Sequence, residues 1–93
     1  MSLQQVLSKK LTEDGAVSAN PGKMWTFCLL SDGTNAGSVI FKDGGASGTE
    51  IWRAQVTATA GDMAVVTFPD GLSYNTSLYA DVTNIGSLYV AYT

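Results

Sequence analysis

The sequence contains no histidine. That absence removes Ser-His-Asp triads, Cys-His dyads and every histidine-based metal site. The one cysteine, Cys28, can form neither an internal disulfide nor a thiolate cage for a metal. It lies within the apolar run Met24 to Leu30, where a free thiol is expected to be buried and to act as a small hydrophobe. Basic charge is scarce: Lys9, Lys10, Lys23, Lys42 and Arg53 stand against eight carboxylates, for a net charge of −3. Affinity for nucleic acid comes largely from Lys and Arg neutralising phosphates, so no nucleic-acid partner is expected, and no docking on an anionic membrane. Charged residues make up 14% of the chain, where about 25% is usual. In 93 residues, most of which must lie at the surface, this predicts that part of the surface is covered by a partner.

Other absences narrow the chemistry further. No run approaches the ~18 apolar residues of a membrane helix. Met1 to Lys10 lacks the basic stretch and long apolar segment of a secretory leader, so folding in a cytoplasm is expected. Gly44-Gly45-Ala46-Ser47-Gly48 lacks the lysine and the following helix of a phosphate loop. Asp14, Asp32, Asp43, Asp62 and Asp70 each neighbour a glycine, which marks them as turn formers rather than a catalytic carboxylate pair. Aspartates on neighbouring loops can gather around calcium, but no loop has the dense alternating Asp/Asn pattern of a dedicated site. The expectation is therefore no enzyme, no catalytic residue, no cofactor and no metal.

What is present is strand and turn. Leu3, Val6, Leu7 and Leu11 have a weak helical spacing, but no caps bracket them, so residues 1–14 are read as an N-terminal arm or first strand. From residue 15 to 93 a sandwich domain is expected. Met24 to Leu30 reads as a strand with Trp25, Phe27 and Leu29 on one face, and Ser38 to Lys42 as a second. Thr49 to Thr59 alternates Ile51, Arg53 and Gln55 against Trp52, Ala54 and Val56. Met63 to Phe68 is a strand expected to stop at Pro69-Asp70-Gly71, and Leu72 to Tyr74 is a brief one. Leu78 to Thr83 and Ser87 to Tyr92 are expected to form a last pair across Asn84-Ile85-Gly86. Asp-Gly at 14–15, 32–33, 43–44 and 70–71 marks tight reversals. Seven to eight short strands with turn signals every 8–12 residues predict an all-β, antiparallel, jelly-roll-like β-sandwich.

The aromatics Trp25, Phe27, Phe41 and Phe68 lie in apolar strands and are expected in the core, whereas Trp52, between Ile51 and Arg53, is the best candidate for a surface aromatic. Ser87 to Thr93 and Ala64 to Phe68 carry no charge. As free edges they would invite aggregation, so each is expected to be central in a sheet or covered by another copy. A closed homo-oligomer follows from that reading.

The succession of Ala19-Asn20-Pro21-Gly22-Lys23-Met24-Trp25, Gly37-Ser38-Val39-Ile40-Phe41-Lys42-Asp43, Ser47-Gly48-Thr49, Ala60-Gly61-Asp62, Phe68-Pro69-Asp70-Gly71-Leu72, Thr76-Ser77-Leu78-Tyr79 and Leu88-Tyr89-Val90-Ala91-Tyr92 resembles small β-sandwich virion structural proteins of tailed bacteriophages. The resemblance spans about residues 15 to 93 and rests on turn and strand patterns. It implies a capsid decoration (cement) protein on the outer surface of the virion shell, a homotrimer whose partner is the major capsid protein. Leu3, Val6, Leu7, Lys9, Lys10, Trp52, Tyr89 and Tyr92 are its candidate contacts. A head-fibre or tail subunit shares the pattern. From another class, a carbohydrate-binding or host-adhesion module would use Trp52 and the tyrosines.

Overall fold

The structure is a computed structural model and describes residues 6–93. Its strands are β1 (Leu7–Leu11), β2 (Gly15–Ser18), β3 (Gly22–Ser31), β4 (Gly37–Asp43), β5 (Thr49–Val56), β6 (Met63–Tyr74), β7 (Leu78–Thr83) and β8 (Ile85–Tyr92). They form two four-stranded sheets. Sheet A has the order β1-β8-β3-β6 and sheet B the order β2-β7-β4-β5, with every pairing antiparallel. This is the jelly roll, two Greek keys wound together so that successive strands alternate between sheets over much of the chain.

The inner faces supply the core. Alternation along β3, β4 and β8 turns Met24, Phe27, Leu29, Val39, Phe41, Leu88 and Val90 inward, and Val17, Leu78, Ala80 and Tyr74 complete it. Phe27 of sheet A meets Phe41 of sheet B with ring centroids 4.9 Å apart. At the β5/β6 side Trp52 packs edge-on against Phe68 at 5.0 Å. Buried Tyr74 reaches the other way and donates its hydroxyl to the Thr93 carbonyl at 2.9 Å.

Several expectations need correction. Of the two readings of the N-terminal segment, arm or first strand, residues 7–11 take the second, pairing in register with β8 from Leu7↔Tyr92 to Leu11↔Leu88. β7 and β8 are not paired: the turn at Asn84, in the left-handed region at φ 51°, carries the chain from sheet B to sheet A. β6 does not stop at Pro69. It is an edge strand, where proline costs no ladder bond, and Gly71 at φ 77° lets the chain bulge and return to pair with β3. The partners jump from Thr26↔Thr67 to Met24↔Leu72, so Asp70-Gly71 is a bulge and not a reversal. Trp25 is the extra residue of a bulge against β8, which takes it off the Phe27 and Leu29 face and leaves it half-buried, with its indole N–H donated to the Thr93 hydroxyl at 3.3 Å. Ile51 is likewise the extra residue between Glu50 and Trp52, and packs on the core instead of following Arg53 and Gln55. Phe68 is only half-buried.

Four of the turn aspartates, all but Asp70, close turns or connections. Asp43 accepts the backbone N–H groups of Asn75, Thr76 and Ser77, tying the β4–β5 loop to the β6–β7 turn. Asp32 accepts those of Thr34 and Asn35. Asp62 takes the Thr57 N–H and hydroxyl, each at 2.8 Å. Asp14 accepts from Val82 across the β1–β2 connection. Backbone hydrogen bonds first of all hold the carboxyls of Asp32, Asp43 and Asp62 below the ordinary value, because they favour the ionised form.

Two outcomes are expected. Phe41→Ala empties the middle of the core and should cost about 3–5 kcal/mol, read as a fall in denaturant midpoint at unchanged slope. The depressed carboxyls stabilise the fold above the unfolded-chain value of ~3.9, and that contribution fades as pH drops through their lower native values. Thermal melts should therefore be flat from neutral pH to roughly pH 5 and fall below it. Asp43→Asn should be less stable at pH 7 and show a shallower acid decline.

Candidate docking face

The two outer faces are built differently. Across sheet A, register sets residues of four strands in rows. Lys10, Tyr89, Cys28 and Val65 make one row, and Ser8, Ala91, Thr26 and Thr67 the next. Ser87, Leu30 and Met63 make a third. Lys10 is the one charged residue in these rows, and its ammonium lies 5.8 Å from the centre of the Tyr89 ring. Val65 is 58% exposed, Met63 54% and Tyr89 43%. The Thr26 hydroxyl is consumed within the face, donating to the Val66 carbonyl at 2.9 Å.

Across sheet B the rows are charged. Asp81, Ile40 and Arg53 stand side by side, as do Tyr79, Lys42 and Glu50. Lys42 pairs with Asp81 at 3.2 Å. Arg53 grips Glu50 with two guanidinium nitrogens, the Nε to Oε2 contact at 2.9 Å. That pairing raises the Arg53 pKa and lowers that of Glu50. Exposed pairs of this kind contribute little to stability, but they keep the face hydrated.

The candidates from sequence are divided by this geometry. Lys10 and Tyr89 belong to the apolar face. Leu7, Lys9 and Tyr92 lie on the same two strands, but alternation turns them to the other side of sheet A. Val6 is exposed just ahead of β1. Trp52 is 39% exposed and sits at the β5 edge against Phe68, remote in the sheet order from Tyr89. Leu3 lies outside the described residues. Cys28, expected in the core, is instead half-buried in the middle of the outer face, because alternation between the inward Phe27 and Leu29 turns it outward. Sequence reasoning marked the runs that hold Val65 and Ala91 as needing cover without naming either residue as a contact, and passed over Met63 and Leu30. Their signal was a period-2 pattern in which both alternating sets are uncharged.

Nothing gathers for chemistry. Two shallow concavities lie at the surface, one lined by Thr12, Glu13, Asp14, Val82, Asn84 and Ile85, the other by residues flanking Thr57 and Asp62. The carboxylates Asp14 and Asp62 found there are already occupied by backbone N–H groups. Among the described residues no group of three or more His, Cys, Asp or Glu side chains is placed to hold a metal ion.

No family model matches the sequence, and no curated protein matches it at a significant level. One solved structure, described as "Bacillus endospore appendages form a novel family of disulfide-linked pili", contains a chain 15% identical to this one, with a TM-score of 0.42 over 99% of this chain and 91% of that one. A likeness of that size carries no conclusion about fold or function.

Proposed function

We propose that the protein is a structural subunit of a larger particle, attached through the outer face of sheet A. The contrast between the two outer faces carries this reading. One sheet is covered by ion pairs, while the other offers three uncharged rows interrupted only by Lys10. Exposed apolar side chains grouped on one face of a small domain, here Met63, Val65 and Tyr89, mark a place where another macromolecule sits. The resemblance in turn and strand pattern to phage virion proteins supports the major capsid protein of a tailed-phage shell as the partner, with this chain as a decoration protein on the outer surface. The absence of histidine and the engagement of the turn aspartates in backbone bonds support a role in binding rather than catalysis. Many copies on one shell would convert modest individual contacts into lasting attachment.

The geometry favours the glycan-binding alternative less. A sugar platform needs aromatic rings side by side, whereas Trp52 leans on Phe68 at a sheet edge and Tyr89 lies on another surface.

Co-sedimentation with undecorated phage shells tests the proposal. The wild-type chain should pellet with the shells. Ala91→Lys, at the centre of the sheet A face, should weaken binding by roughly tenfold or more, since a charge is placed in a dry contact. Ile40→Lys, on the sheet B face, should bind like wild type. Equal binding by both variants, or none by the wild type, would reject the assignment.

A further inference from the structure

A jelly roll leaves four strand edges, and each open edge is a template for another chain unless something blunts it. Three are blunted here. β1 carries Lys9 and Lys10. β2 has four residues and a register break between Ala16 and Ser18. β5 carries Glu50 and Arg53 and the bulge at Ile51. The fourth, β6, runs Met63-Ala64-Val65-Val66-Thr67-Phe68 with no charge, no proline and no break. Among the described residues no hydrogen-bonded strand lies beside its free side.

The direction of its free backbone groups follows from two bonds. The Asp62 carbonyl accepts the Ser31 N–H at 2.9 Å, and the Val66 carbonyl accepts the Thr26 hydroxyl at 2.9 Å. Both donors lie on β3, so alternate carbonyls point to β3 and those of Met63, Val65 and Thr67 point away from it.

We propose that this edge pairs with the same edge of a second copy, antiparallel about a two-fold axis through Val65, to give one continuous eight-stranded sheet. In this register Val65 opposes Val65 and Met63 opposes Thr67, and the outward backbone groups exchange about six hydrogen bonds. Ala64 opposes Val66 on the inner side. Charge excludes one neighbouring register. Asp62 falls opposite Phe68, whereas shifting the axis to Val66 would set Asp62 against Asp70. No carboxylate faces a carboxylate, although each chain carries a net charge of −3. The bulge at Phe68–Gly71 ends the pairing at the far side. The two-fold axis is normal to the sheet, so the outer faces of both copies stay on one side. This inference concerns the edge and stands apart from the docking of the face.

Light scattering after size exclusion, on the full chain, should give a mass near twice 9.7 kDa. Val65→Lys, at an exposed position, should fold as judged by circular dichroism and dissociate at least roughly tenfold more readily. Tyr89→Lys, on the face but away from the edge, should remain dimeric. Val65→Cys in a Cys28→Ser background should form an intermolecular disulfide on mild oxidation, because hydrogen-bonded antiparallel partners hold their Cα atoms ~5.5 Å apart. A monomeric or trimeric wild type overturns the proposal. So does a dimer that survives Val65→Lys, or one lost in Tyr89→Lys with no crosslink at position 65, which would mean that two faces stack instead.

Discussion

The two sheets are held to each other by apolar contacts between their inner faces, Phe27 against Phe41 and Trp52 against Phe68 among them. No disulfide links them, and every backbone ladder runs within a sheet, so cohesion between the layers rests on apolar burial. Each strand gives half of its side chains to that burial and keeps the other half for the outside. The inner set is therefore fixed by packing, and the outer set is where this fold can carry a function. The asymmetry of the two outer faces is informative for that reason, because nothing inside the sandwich requires it.

Charge is the scarce resource of this chain. Of its carboxylates, Asp14, Asp32, Asp43 and Asp62 are committed to closing turns and connections with backbone N–H groups. Asp81 and Glu50 are paired with Lys42 and Arg53 on sheet B. Sheet A receives almost none. A stronger charge anywhere in the row Lys10–Tyr89–Cys28–Val65 would make the face more soluble and less able to be dried by a partner. The same economy leaves the first half of β6 unguarded.

The sequence was most legible where one residue type has one physical use. Glycines after Asp32 and Asp43 adopt positive φ as expected, and the strand runs around Phe27, Phe41 and Val90 are all present. The antiparallel sandwich followed from those signals. Strand partners did not, since β7 and β8 share a tight turn that also serves to cross between sheets, and only long-range packing decides which. Bulges were also hidden. Single extra residues at Trp25 and Ile51 invert the alternation on one side of them, which moved Trp25 off the core face and set Ile51 upon it. The uncharged run at Ala64 to Phe68 was read as needing cover, and its place at an edge rather than a centre came only from the sheet order. The last strand, read with the same logic, is central between β1 and β3.

An unguarded edge ordinarily threatens open-ended growth, and the arrangement of this sheet answers that threat. If two β6 edges meet about a two-fold axis, the enlarged sheet terminates at β1 on both sides. β1 presents Lys9 and Lys10, and like charges brought opposite one another resist a further strand. The free edge is used once, β1 is repulsive, and β2 and β5 are blunted by a register break and a bulge, so association closes instead of propagating. Within the dimer, the three rows of one copy, uncharged but for Lys10, continue into those of the next, doubling the surface available to a partner while the charged faces of sheet B stay in water. The lysines of β1 thus limit the assembly at the same sheet whose missing charges permit it.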